Sequence, residues 1–251
     1  EAASNSSQRF LDISADVSKP GEASRIIKET RVWNKGKLPD VCWCIAGTSH
    51  PGLFINTPIS IMRQTMDTNF WSCVEMAQEI LSAWLDAGVD ENEKTRHLIF
   101  TSSTIAFFSV AGYASYAPSK AAIRSLSDTL AQEILLYTDN IKLHTIFPGT
   151  IMSPGYEKEN TTKPEITRKL EAADPVQTPD VSAAKAITGL EKGEYLVTLG
   201  WLGDAMRGCA WGGSMRNNWV ADTAVAWITS LVWPFVKYDL DSKVKRYRNN
   251  N

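Results

Sequence analysis

The sequence predicts an α/β fold, and three observations predict it. Apolar runs of strand length occur at Val41–Gly47, His97–Ser103 and Ile141–Phe147, the first opening after Pro39-Asp40 and the last closing on Pro148-Gly149. Between them, apolar residues return every three or four positions. Ile123, Leu126, Leu130, Ile134 and Tyr137 have the spacing of one buried helical face. Finally, 251 residues with 43% hydrophobic content suffice for one domain with a sizeable core.

Taken in order, Glu1 to Gln8 is polar and carries no pattern. Arg9–Ala15 alternates like a strand and ends at Asp16-Val17, and Glu22–Trp33 reads as a helix, which Asp16 could also cap. Val41–Gly47 is a continuous buried strand running into a glycine turn, and His50–Pro58 is a loop. Ile61–Leu85 reads as a long helix that carries Asn69, a poor helix-interior residue because its amide competes for backbone groups. Glu91–Arg96 is a charged surface loop before the His97 strand. Phe107, Phe108 and Gly112 are expected to form a cleft wall. Pro179–Leu190 is an amphipathic helix and Tyr195–Leu199 a last strand. Residues 1–199 are therefore expected to be one domain and 200–251 a Trp- and Gly-rich extension.

Composition excludes some partners. A formal charge of -2 and a pI near 6.0 give no footprint for nucleic acid. Four cysteines are too few for a disulfide framework, and Cys42 and Cys44 sit inside an apolar strand, so buried thiols in a reducing compartment are expected rather than a metal site.

The chemistry gathers at Tyr116 and Lys120. Four apart, they share one face of a helix, and Pro118 is tolerated only in a first turn, which puts the pair at a helix start. An ammonium close to a phenol is expected to lower the tyrosine pKa from about 10 and make a proton donor and acceptor usable near neutral pH. Ser103, thirteen positions upstream, ends the preceding strand in a hydroxyl.

Strand, hydroxyl, tyrosine helix, strand and Pro-Gly in this order resemble the short-chain dehydrogenase/reductase family, from about Phe10 to Leu199. The resemblance implies a Rossmann-like, doubly wound parallel sheet in the order 3-2-1-4-5-6-7 and a nicotinamide cofactor. It also implies a catalytic set of Asn69, Ser103, Tyr116 and Lys120. Asn69 would hold a water of the proton relay, Ser103 the carbonyl oxygen, and Lys120 the ribose hydroxyls. Cofactor contacts are implied for Asp16 and Val17 at the adenine, for Gly47, Asn69, Tyr116 and Lys120, and for Pro148, Gly149 and Ile151 at the nicotinamide, with a mobile substrate loop beyond. Members commonly pair through the Ile61–Leu85 and Ser115–Tyr137 helices, so a homodimer or higher homo-oligomer is expected.

Two features depart from the family. Its Asn-Asn-Ala-Gly is Cys44-Ile45-Ala46-Gly47 here, and the N-terminal Gly-rich turn and first two strands are absent. Because those strands would lie between the Phe10 and Val41 strands, roughly 50–80 further upstream residues, enough for a βαβ unit, are expected in the functional protein. The second feature is Trp219–Val236, eighteen residues with one charge, Asp222, followed by Lys237, Lys243, Lys245, Arg246 and Arg248. It is at the lower limit for spanning a bilayer, and shallow insertion with Asp222 near the interface is expected.

Thr150–Pro164 resembles the same segment in members that reduce 3-ketosphinganine to sphinganine with NADPH on the cytosolic face of the endoplasmic reticulum membrane. That implies a long-chain lipid ketone as substrate and a membrane surface as partner. A retinoid or steroid oxidoreductase, and a catalytically dead lipid-binding scaffold, are the alternatives.

Overall fold

A computed structural model describes residues 8–88, 94–210 and 216–249. The chain runs through α1 (Glu22–Trp33), β1 (Val41–Cys44), α2 (Ile59–Met66), α3 (Ser72–Asp86), β2 (Arg96–Thr101), α4 (Ala117–Glu133) and β3 (Ile141–Phe147). It continues through β4 (Thr150–Ile151), α5 (Pro154–Thr162), α6 (Glu165–Glu171), β5 (Val176–Gln177), α7 (Pro179–Glu191), β6 (Leu196–Thr198), α8 (Trp201–Cys209) and α9 (Trp219–Asn249). Four strands form one parallel sheet in the order β1-β2-β3-β6, and β4 pairs with β5 in a small separate ladder.

The alternation of side chains along each strand sorts the core into two layers. Leu98 and Phe100 of β2 and Ile141, Leu143 and Phe147 of β3 pack with Cys73, Ala77, Ile80 and Trp84 of α3 and Ile123 of α4. On the other face Ile99, Ile146 and Val197 meet Ala186 of α7. Trp84 is fully buried, and its indole donates to the Pro39 carbonyl at 2.9 Å, which satisfies the one polar atom of a large core side chain.

The second layer also holds a histidine pair. His144 Nδ1 lies 2.7 Å from the Glu194 carbonyl, which can only accept, so Nδ1 carries the proton and Nε2 accepts from His97 Nδ1 at 3.0 Å. Burial lowers the pKa of both rings.

Several sequence expectations change in the fold. Arg9–Ala15 is not a strand. A strand exists only when paired, and among the described residues nothing lies beside this segment to pair with, so Phe10 stays 68% exposed. The expected long helix is continuous from Ile59 to Asp86 but contains a five-residue π turn, Asp67–Trp71, centred on Asn69. Tyr137 does not continue the buried face of α4, since the helix tightens to a 3₁₀ turn at Ile134–Leu136. The polar segment after Pro148-Gly149 folds into α5 and α6, with Ser153 Oγ accepting from Tyr156 N at 3.2 Å as the cap of α5. The expected loop Glu91–Arg96 lies partly outside the described residues, and its last residue begins β2.

The C-terminal extension is two helices docked on the domain. Asp222, expected near a membrane interface, is instead buried, pairing with Arg207 of α8 at 3.4 Å and accepting from Asn218 N at 2.9 Å. A carboxylate at the first turn of α9 offsets the positive end of the helix dipole, and Arg207 neutralises it there. The stretch Trp219–Val236 is long and apolar enough to cross a membrane. Its Val220, Trp227, Leu231 and Phe235 recur at helical spacing as one stripe and are each more than 70% exposed.

Candidate active site

A cavity of about 880 Å³ opens at the C-terminal ends of β1, β2 and β3. In an open parallel sheet ligands bind there, because the loops that leave the strands diverge. Tyr116 sits immediately before α4 and Lys120 one turn on, with Pro118 within the first turn as its chemistry requires. Ser103 follows β2, its hydroxyl bonded to the Tyr116 phenol and donating to the Pro148 carbonyl at 3.3 Å. The neighbouring Ser102 points its hydroxyl at the Lys120 carbonyl, 2.8 Å away, and so joins β2 to α4.

Lys120 is buried, and its ammonium donates to the Thr101 carbonyl at 2.9 Å and stands 5.7 Å from the Tyr116 ring centroid. Burial lowers its pKa to about 8. The expected lowering of the Tyr116 pKa by Lys120 is not found. Burial raises the phenol to about 12; the Ser103 bond opposes this, and the Glu159 charge adds to it. Desolvation of the buried phenol is the larger effect.

Asn69 is fully buried under this pair. Its amide accepts from Thr48 N at 2.7 Å and donates to Thr48 O and Ser119 Oγ, both at 2.9 Å. It thereby holds the loop after β1 against α4, as a strand partner would. Gly47 lies over the same point. A Cβ there would come within 3.3 Å of Asn69 Oδ1 and 3.4 Å of Lys120 Nζ, so any larger residue would crowd the Asn69 amide and touch the ammonium. Cys44 and Ile45 stand where the family has asparagines, and Ile45 offers an apolar wall to the cavity. The Cys44 thiol instead hydrogen-bonds those of Cys42 and Cys73.

Of the remaining sequence candidates, Pro148, Gly149 and Ile151 line the cavity. Asp16 and Val17 do not reach it. They lie on a turn before α1, where Asp16 Oδ1 accepts from Ser18 Oγ at 2.6 Å and from Ser18 N at 3.1 Å.

The residues around the sheet ends fit the nicotinamide and ribose end of a dinucleotide. Ser49 Oγ and His50 Nδ1 are buried with no protein partner, and both residues line the cavity beside the Gly47 gap and the Lys120 ammonium. Phe147, Ile45 and Ile105 supply apolar walls suited to a flat ring.

Sequence reasoning missed a charged group in the same cavity. Lys163, 5% exposed, pairs with Glu159 at 3.0 Å and Glu171 at 2.8 Å, and Tyr113 donates to Glu159 Oε1 at 2.5 Å. The Glu159–Lys163 spacing of four was a signal for such a pair, but in a polar run it reads as a solvated helix face.

Comparison with known proteins agrees with this architecture. The chain is 44% identical over 246 residues to the 3-ketodihydrosphingosine reductase of Neurospora crassa, spanning 96% of this chain and 68% of that protein. It is 46% identical over 253 residues to the one from Aspergillus fumigatus, spanning 94% and 69%. The crystal structure of a short chain dehydrogenase from Burkholderia cenocepacia in complex with NADP has the same fold at 14% identity, with a TM-score of 0.63 over 81% of this chain and 77% of that one. The model of the short chain dehydrogenase family matches residues 1–164. By this match, by its relatives and by its parallel sheet, the chain belongs to the short chain dehydrogenase family.

Proposed function

We propose that this protein reduces the ketone of 3-ketodihydrosphingosine to the alcohol of dihydrosphingosine, with NADPH as reductant. The observation that carries the reading is the convergence of Ser103, Tyr116 and Lys120 on one cavity in a chain 44% and 46% identical to reductases of that name. NADPH, when bound, supplies the hydride that reaches the ketone carbon. Solved structures of the same fold hold NADP or NAD, which supports a nicotinamide cofactor, and the likeness to the reductases supports NADPH.

The chain's own residues handle the proton. Tyr116, with its pKa near 12, holds its proton at neutral pH and gives it to the ketone oxygen as negative charge builds there. Ser103, turning its hydroxyl from the Pro148 carbonyl, donates a hydrogen bond to that oxygen and fixes its direction. Lys120, with a pKa near 8, is mostly charged at pH 7 and holds the ribose hydroxyls. Asn69 keeps Thr48, and with it Ser49 and His50, in place. The π turn at Asn69 supports a place there for a water of the proton relay, since such turns collect at functional sites.

The exposed apolar stripe of α9 and the basic residues after Val236 support attachment to the cytosolic face of the endoplasmic reticulum membrane. Trp233 of α9 packs edge-on against Phe108, a residue of the cavity wall, with ring centroids 5.1 Å apart. The apolar helix thus abuts the site that takes a lipid ketone.

The test is NADPH consumption by the protein with 3-ketosphinganine, retinal and a ketosteroid offered separately. Turnover of 3-ketosphinganine well above the other two is expected. Preference for retinal or the steroid, or no turnover of any, would overturn the reading.

A further inference from the structure

The charged group built around Lys163 takes no part in the proton transfer described above. Glu159 and Glu171 share the single Lys163 ammonium, and Asp174, its pKa raised by burial and by the Glu171 charge, lines the same wall, so this stretch carries more carboxylates than ammonium groups. Burial would lower the Lys163 pKa, and the two carboxylates more than reverse that, so the lysine keeps its proton. Lys158 and Lys185 also line the cavity, but both are exposed and screened by water.

The excess charge stands close to the proton donor. Tyr113, bonded to Glu159, has its ring centroid 5.9 Å from that of Tyr116. The Glu159 charge is felt at the Tyr116 phenol itself. Tyr113 and Lys163 both meet Glu159 at Oε1, and among the described residues none bonds to Oε2.

We propose that Glu159 is a specificity-determining residue, its carboxylate receiving a protonated primary amine on the carbon next to the substrate's ketone. The inference rests on the proposed substrate, 3-ketodihydrosphingosine, which carries such an amine beside its ketone. An ammonium there sets a second cation beside Lys163 against the Glu159 and Glu171 carboxylates, and the Oε2 oxygen accepts a charge-assisted bond from it. A long-chain ketone without the amine leaves a partly desolvated carboxylate without its counter-charge, which penalises the wrong substrate as well as favouring the right one. The same contact sets which face of the ketone meets Tyr116, because amine and carbonyl are on adjacent carbons.

The experiment compares kcat and KM for 3-ketosphinganine and for 1-hydroxy-3-octadecanone, identical but for the amine, in the wild type, Glu159→Gln and Glu159→Asp. The wild type is expected to favour the amine by tenfold or more in kcat/KM, most of it in KM, as a charge-assisted bond supplies. Gln at 159 should erase most of that preference, leaving turnover of the amine-free ketone within about threefold, and Asp should restore part of it. Equal use of both ketones by the wild type, or an undiminished preference in the Gln variant, would overturn the assignment. Loss of both activities in the Gln and Asp variants alike would do so too, since Glu159 would then hold the fold rather than the amine. Failure of the wild type on 3-ketosphinganine would instead strike the proposed function, and is told apart by that first measurement.

Discussion

Replacing Asn69 by Ala tests how the cavity is held together. The side chain is fully buried and makes three hydrogen bonds, to Thr48 N, Thr48 O and Ser119 Oγ. A net contribution of about 1 kcal/mol per bond gives about 3 kcal/mol, and Ala offers Thr48 no replacement partner in the partly buried turn. For a chain of this length about 3 kcal/mol corresponds to a fall in Tm of roughly 6–12 °C. Urea unfolding should show a lower midpoint at unchanged m, since the surface exposed on unfolding hardly changes. Asn69→Asp is the control of similar size. It keeps an acceptor for Thr48 N but sets a carboxylate oxygen against the Thr48 carbonyl, so it too should destabilise. A loss below about 1 kcal/mol in the Ala variant would refute the claim that these bonds tie the loop after β1 to α4.

Further outcomes follow from other contacts. Tyr116→Phe keeps the ring and removes the proton, so NADPH affinity should hold while turnover falls by roughly 10²–10⁴; retained activity would remove Tyr116 from the mechanism. At Gly208 a Cβ would lie 2.8 Å from Val225 Cγ1, so Gly208→Val should force α8 and α9 apart, read as faster amide exchange in α9 with the sheet unchanged. The folded-state pKa values of His97 and His144 lie below the ordinary histidine value of about 6.5, so the unfolded chain binds more protons. Their contribution to stability is complete above about pH 6.5 and is lost as pH falls below it. Melting at pH 7.5 and 5.5 should show a smaller drop in a His97→Phe, His144→Leu double variant, and an equal drop would count against the pair. Trp71, beside α3, and Leu135 and Leu136, just past α4, are more than half exposed, and light scattering at micromolar concentration should give a dimer that Trp71→Glu splits; a monomeric wild type would reject that arrangement.

Much of the sheet was legible because a strand buried on both faces writes itself as a continuous apolar run; β3 spans the run read at Ile141–Phe147. Tyr116 and Lys120 were legible for a similar reason, as helix spacing and a proline fix the first turn by local chemistry alone. What depends on distant partners was not. Arg9–Ala15 has strand alternation, but pairing is a property of two segments and one sequence stretch cannot supply both. The direction of the Tyr116 pKa went the other way, because spacing shows that an ammonium is near and says nothing of the water removed from the phenol. Lys163 looked like one more solvated lysine, and only the fold of α5 and α6 turns it inward onto two carboxylates. Asp222 was read as a charge within an apolar run, while its partner, Arg207, lies fifteen residues back on another helix, a pairing no local pattern reveals.

The attachment of the C-terminal extension bears on how copies of this protein can meet. β6 is an end strand of the sheet, the kind of open ladder on which a second sheet can grow. Here a single side chain imitates the missing neighbour. Asn217 Oδ1 accepts from Tyr195 N at 3.0 Å, its Nδ2 donates to Leu196 O at 2.9 Å, and Arg207 adds a donor to the same carbonyl at 2.8 Å. With the outward groups at Tyr195 N and Leu196 already answered, the start of this edge offers a second copy no ladder to extend, and strand-to-strand addition there would first have to displace Asn217.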